Sequence, residues 1–315
     1  MVTARITPDL SMSIGSLRLA FPTLMGSGCY GSGEEYAPFV DLARIGGVVL
    51  KSVTRLPRLG NDAPRLVPVA SGLLNAIGLQ NPGIDAYLER DVAKFADRPC
   101  AVVGSVAGFS VDDYGYVTER LAARAEIDAI ELNISCPNVA HEGETFACDP
   151  MLAERATHAA RRVTTKPLIV KLSPNVTDIT EIARVVEAAG ADALAVINTV
   201  RGMAIDVERR VPMLGNVTGG LSGAAMRPIA LLAVWEVAAA VRIPIVGQGG
   251  VENARDALEF VLAGASAVSM GTANFTDPRA PLAVADGIAA YLEQHRYAEL
   301  REIVGAANPK FLGTR

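Results

Sequence analysis

The sequence predicts an α/β protein of the (β/α)8 TIM-barrel class, with extended loops after the second and sixth strands. Three observations predict it: eight short β-branched runs, Ala-rich helical patterns between most of them, and one strand–helix–strand unit echoed by another. The strand candidates are "TLMGSG" (23–28), "GVVLKSV" (47–53), "AVVGSV" (101–106) and "AIELNIS" (129–135). They continue with "LIVKLS" (168–173), "ALAVINT" (193–199), "PIVGQGG" (244–250) and "AVSMGTA" (267–273). Several are apolar on both faces, as parallel strands covered by helices must be. The helical patterns "DITEIARVVEAAG" (178–190) and "NARDALEFVLAGA" (253–265) place apolar residues three and four apart and stop at glycine. The echo joins "KPLIVKLSPN…VEAAGADALAVINT" to "IPIVGQGGVE…VLAGASAVSMGT", which share order and spacing. A doubly wound open sheet would use the same elements in a strand order that the sequence does not reveal.

Two segments are too long for simple connections. Residues 55–83 follow the second strand and contain "RLPRLGNDAPRL" and "NAIGLQNPG"; residues 200–228 follow the sixth and contain "RGMAID" and "LGNVTGGLSG". In a barrel both lie at the C-terminal face, where active sites assemble. The early stretch "SIGSLRLA" reads as a small hairpin outside the barrel, closing its bottom. No linker-like composition divides the chain, so residues 1–315 read as a single domain.

Half of the 315 residues are hydrophobic and 20% are charged, which ensures a sizeable core. A net charge of −5 weighs, without deciding, against nucleic-acid and anionic-membrane surfaces. No apolar run is long enough to span a bilayer, and "MVTARITPDLSMSIGS" lacks the apolar centre of a signal peptide, so the expected compartment is the cytoplasm. Cys29, Cys100, Cys136 and Cys148 show no CxxC spacing. A disulfide frame, a zinc site or an iron–sulfur cluster within this chain is therefore not expected, and no metal ligand is assigned.

A barrel gathers its strand ends at one mouth. There the chain places Lys51 and Ser52, Asn133 and Cys136, Lys171, Asn198 and Thr199, Gly249 and Gly250, and Gly271 and Thr272. Each has a bland alternative. A lone lysine usually snorkels to water, paired glycines are often only turn residues, and a free cysteine is most often an inert buried thiol. The combination carries more. Glycine pairs after strands seven and eight allow backbone N–H groups to approach an anion, with Gly223 adding another contact. Two lysines facing one pocket need an anionic or dipolar partner. Cys136 stands between Asn133 and Asn138, with Pro137 stiffening the loop, in "ELNISCPN". His158 and His295 fall in helical patterns and His141 on the following loop, so no Cys–His or Ser–His–Asp arrangement is indicated.

The set "KS", "NAIGLQNPG", "ELNISCPN", "LIVKLSPN", "INTVRGMAID", "LGNVTGGLSG", "GQGG" and "MGTANF" resembles the dihydroorotate dehydrogenases, in particular the catalytic subunits of the NAD-linked bacterial branch. The likeness covers nearly the whole chain in the right order. It implies a barrel that binds flavin mononucleotide (FMN) and oxidises dihydroorotate to orotate in pyrimidine biosynthesis. By that resemblance, FMN would touch Ser27, Lys51, Ser52, Ser105, Asn133, Lys171, Ile197, Gly223, Gly249, Gly250, Gly271 and Thr272. The substrate would meet Lys51, Asn75, Ala76, Ile77, Gly78, Leu79, Asn133, Asn138, Asn198 and Thr199. Cys136 matches the family's catalytic base, with Lys51 beside it. The resemblance also implies an electron-transfer subunit carrying FAD and an iron–sulfur cluster, in a complex of two copies of each chain around a homodimer core.

The residue types suit that chemistry. A thiol has an unperturbed pKa of about 8.5, which a cationic site lowers toward neutrality. Carboxamides offer a donor and an acceptor to the alternating N–H and C=O edges of a pyrimidine. Lys51 can pair with a substrate carboxylate, and Lys171 can stabilise negative charge on a reduced flavin. Two positions depart from the family pattern: Phe21, in "FPTLMGSG", and Gln248, in "GQGG". Three alternatives stay open at this stage. They are a flavin barrel reducing uracil- or thymine-type rings, a flavin-free barrel acting on a sugar phosphate, and a non-catalytic scaffold.

Overall fold

A computed structural model of the chain describes residues 7–31, 35–36, 38–135 and 146–312. Cys136, Asn138 and His141 lie outside the described residues. Eight parallel strands close a barrel in sequence order. They are β1 (Thr23–Met25), β2 (Gly47–Val49), β3 (Ala101–Val106), β4 (Ala129–Asn133), β5 (Leu168–Lys171), β6 (Ala193–Val196), β7 (Ile245–Gln248) and β8 (Ala267–Met270). β8 returns to pair with β1, Val268 opposite Thr23, and this closure rules out the open sheet.

Most strands stop short of the ends that hydrophobicity suggests. The residues beyond them bend the backbone onto polar side chains, a local alternative to ladder pairing. Asn133 Oδ1 accepts from the Ser135 N–H at 3.3 Å, Ser173 Oγ from the Asn175 N–H at 3.1 Å, and Asn198 Oδ1 from the Thr199 N–H at 2.8 Å. Helices sheathe the barrel where the sequence places them. Asp178 caps Ile179–Ala188, and Asn253 caps Ala254–Ala263, which ends on Gly264. Among the described residues, a 3-10 turn (Leu42–Arg44) stands where the first barrel helix would be.

Side chains alternate between the interior and the helices along each strand. Leu24, Val49, Val103, Ala129, Ile169, Ala193, Ala195, Val246 and Ala267 fill the lower interior. The expected hairpin is present, pairing Met12–Ile14 with Leu17–Leu19 across Gly15, whose φ of 56° suits a two-residue turn. Its fully buried Ile14 and Leu19 join that interior cluster and close the bottom of the barrel. Removing either side chain leaves a cavity that rigid strands cannot collapse. Leu19→Ala is therefore expected to lower unfolding stability by about 2–5 kcal/mol, measured by urea denaturation.

The two long segments join each other. Val200–Gly202, Gly219–Ser222, Gly72–Asn75 and Leu66–Val69 form one antiparallel sheet in that order, with Val67, Leu74, Ala76 and Leu214 as its own small core. Asn75 Nδ2 donates to the Gly220 carbonyl at 3.1 Å and ties the two insertions together. This sheet roofs one side of the barrel mouth.

Candidate active site

One pair of residues above the apolar layer, the same strand faces turn polar. From Val49, Val103, Ala129, Ile169, Val246 and Ala267, strand alternation leads to Lys51, Ser105, Glu131, Lys171, Gln248 and Ser269, and Asn133 lies one step further along β4. Most are buried, Lys171 to 8% exposure. The cavity above them is lined by Ser27, Lys51, Ser52, Asn133, Lys171, Ile197, Asn198 and Thr199, by Gly223, Gly249, Gly250, Gly271 and Thr272, and by Asn75, Ile77, Gly78 and Leu79 from the roof. The structure thus brings together nearly every residue the sequence nominates within the described regions. Two stand apart. Ser105 is fully buried behind Ser52, and Ala76 is fully buried in the roof, its side chain in the core of that sheet.

Buried tyrosines hold the strand ends in place. Tyr87 donates to the Lys51 carbonyl at 2.9 Å, and Tyr114 donates to the Asn133 carbonyl at 3.1 Å. The Lys51 ammonium lies over Gly28, where an added Cβ would be 3.7 Å from Nζ. The carboxamides form a cluster. Asn198 Nδ2 donates to Ser135 Oγ at 2.8 Å and reaches Asn133 Oδ1 at 3.5 Å, while Ser135 Oγ donates to that same oxygen at 3.0 Å. Asn175 was not nominated from the sequence. It donates to the Thr199 carbonyl at 3.2 Å and accepts from the Arg201 N–H at 2.9 Å, aligning the entry to the roof.

The glycines form a cradle. Gly250 (φ 80°) and Gly223 (φ 96°) adopt conformations that L side chains rarely take. A Cβ on Gly250 would lie 2.8 Å from the Gly223 carbonyl oxygen, so the two loops approach as closely as backbone allows. Arg227 secures this approach through an ion pair with buried Asp256, whose other oxygen accepts from the Glu252 N–H at 3.0 Å. Among the described residues, the N–H groups of Gly249, Gly250, Gly271 and Thr272 donate to no protein acceptor. Ser269 Oγ is buried beside the cradle without a partner. Unsatisfied donors and an orphaned hydroxyl at the ends of β7 and β8 fit a phosphate and its ribityl chain. The residues present therefore fit FMN.

The other wall residues are Gly26, Gly28, Cys29, Leu66, Leu73, Ser222, Met226, Gln248 and Phe275. Nothing in local pattern marks the apolar ones, whose place depends on how distant segments pack. Gln248, one of the departures, donates from Nε2 to the Ile197 carbonyl at 2.9 Å and so pins the end of β6 to β7. Burial pushes the Cys29 thiol up, against the lowering pull of Lys171 and Lys51. Its proton therefore stays on at neutral pH.

A sequence profile described as "Dihydroorotate dehydrogenase" matches residues 9–292. Curated relatives named "Dihydroorotate dehydrogenase B (NAD(+)), catalytic subunit" align along most of the chain. The protein from Bacteroides thetaiotaomicron is 50% identical over 298 residues, covering 95% of this chain and 98% of its own. That from Trichlorobacter lovleyi is 50% identical over 299 residues, covering 95% and 98%. That from Desulforamulus reducens is 51% identical over 300 residues, covering 95% and 99%. The match spans every barrel strand and both roof insertions, and so the chain belongs to the dihydroorotate dehydrogenase family.

Proposed function

We propose that this chain oxidises dihydroorotate to orotate in pyrimidine biosynthesis, with FMN as its resident cofactor. One observation carries the reading. A single cavity places two lysines and two interlocked carboxamides next to a glycine cradle with unsatisfied N–H donors. A cationic end suits a carboxylate, an amide cluster suits a pyrimidine edge, and the cradle suits a phosphate.

The roles follow from these groups. Gly223, Gly249, Gly250, Gly271 and Thr272 would hold the FMN phosphate. Lys171, Ser27 and Ser52 would contact the flavin, with Ser105 supporting Ser52. Lys51 pairs with the substrate carboxylate, while Asn133, Asn198, Thr199 and Asn138, with Asn75–Leu79 above, orient the ring. Cys136, as thiolate, takes the proton from ring carbon five, and the electron pair of that C–H bond becomes the new C=C bond. Bound FMN supplies the two-electron acceptor for the hydride that leaves carbon six.

The relatives' names specify NAD(+) and a catalytic subunit, and this sequence carries no cluster-type cysteines; its GxGxxG at 26–31, after β1, runs into a turn rather than a helix and lines the cavity already described. Electrons would reach NAD through a second subunit carrying FAD and an iron–sulfur cluster, assembled on a homodimer of this chain. No helix among the described residues is long and apolar enough to cross a membrane, and a cytoplasmic location is part of the proposal. A close relative of this reading has the same flavin barrel acting on uracil- or thymine-type rings, which carry no carboxylate to meet Lys51.

Protein purified with FMN supplied is expected to be yellow and to bleach with dihydroorotate but not with dihydrouracil. A colourless preparation, or bleaching by dihydrouracil alone, overturns the proposal.

A further inference from the structure

Beneath the cavity floor lies a carboxylate with no assigned role. Glu131 is 3% exposed, inside the barrel, on the strand that ends in Asn133. A buried carboxylate is costly unless it is compensated, and a core position that Gln or Leu could fill does not require one. Ser105 Oγ donates to Glu131 Oε1 at 3.0 Å.

That bond has a consequence two residues away. A serine hydroxyl has one proton and two acceptor positions, and an ionised carboxylate only accepts. Ser105, having donated to Glu131, must accept from Ser52, 2.9 Å away. The single Ser52 proton is then committed, so Ser52 Oγ can only accept. It does so from Asn133 Nδ2 at 3.1 Å and stands 3.3 Å from Ser27 Oγ. With its NH2 drawn toward Ser52, the Asn133 amide must turn its oxygen the other way. That oxygen meets the Ser135 N–H and hydroxyl at 3.3 and 3.0 Å and faces Asn198 Nδ2. Asn198 in turn gives its oxygen to the Thr199 N–H at 2.8 Å. The carboxylate fixes the sense of the links from Ser105 through Ser52 to Asn133, and the Ser135 and Thr199 N–H groups fix the amide oxygens at the other end.

We infer that Glu131 is a positioning residue. Its carboxylate polarises Ser105 and Ser52 and thereby sets which face of the Asn133 amide meets the pyrimidine ring. The inference rests on the proposed dihydroorotate chemistry. A neutral glutamine at 131 can donate to Ser105 as readily as accept from it. The hydroxyl chain can then run backwards, so that Ser52 turns its proton toward Asn133 Nδ2 and only the Ser135 side still holds the amide.

The test uses FMN-loaded protein and measures the Kd of orotate by calorimetry, the Kd of FMN by fluorescence, and the steady-state parameters. Glu131→Gln is expected to weaken orotate binding and to raise KM for dihydroorotate about 10-fold, the effect of one misdirected hydrogen bond. FMN affinity should stay within about threefold, because the cradle lies on other strands. Ser105→Ala removes the hydroxyl and should match Glu131→Gln, and combining the two should add nothing further. Unchanged orotate affinity in Glu131→Gln overturns the inference, and so does an equal loss of FMN and orotate, which would mean a general support role. Should Ser105→Ala fail to fold, Glu131→Gln still decides. A parent protein that neither binds orotate nor oxidises dihydroorotate would refute the functional proposal instead.

Discussion

Replacing Cys136 with alanine is expected to lower dihydroorotate turnover by about 10²- to 10⁴-fold at neutral pH, the usual worth of a positioned base, while FMN stays bound. The residue lies outside the described region. Ser135 immediately precedes it, is fully buried, and is bonded to both Asn133 and Asn198. The described thiols are poor substitutes. Burial raises Cys29 and Cys148, and pushes Cys100 up to about 12. A base works only when deprotonated, so turnover should fall as pH drops below the pKa of the Cys136 thiol. Cys136→Ser should be intermediate in rate and lose that inflection, because a serine hydroxyl does not titrate in the range. Stopped-flow bleaching of FMN across pH 5–10 reads both effects. A fully active alanine variant would remove the thiol from the mechanism.

Gly250→Ala is expected to strip the protein of FMN. The residue sits at φ 80°, where a side chain is strained, and the new Cβ would press on the Gly223 carbonyl oxygen and on Arg227 Cβ, each 2.8 Å away. Forcing these loops apart misplaces the N–H donors of both. Each hydrogen bond to a charged phosphate contributes about 1.5–3 kcal/mol, so losing even one raises the FMN Kd about 10- to 100-fold. Gly264→Ala provides the control. It is equally strained, at φ 130° with an added Cβ 2.5 Å from Ala238 Cβ, but it ends a helix away from the cavity. It should lower the melting temperature and leave FMN affinity intact. Equal FMN loss in both variants would reduce the cradle to ordinary packing.

The barrel and most of the cavity wall were legible because their signals are local. Two-sided apolar runs, capping residues such as Asp178 and Asn253, and the closing Gly264 each act within one turn or strand. The site residues were legible because topology alone delivers strand ends to one place. What escaped depends on pairings far apart in sequence. The register that sets Asn75 opposite Gly220 leaves no periodic trace in either segment. The inward turn of Glu131 leaves no trace in the run of a buried strand, because its serine partner, Ser105, lies on a different strand. Strand lengths were overestimated because Ile134 and Leu172 read as further apolar strand residues while Asn133 and Ser173 beside them already cap the backbone.

The hairpin at the base leaves the barrel a vessel with a stopper in one end. Substrate and product must then both pass the same rim, beneath the awning made by the two insertions. Traffic takes turns there rather than flowing through. Any second protein that collects electrons at this rim must do so without barring the door to the pyrimidine.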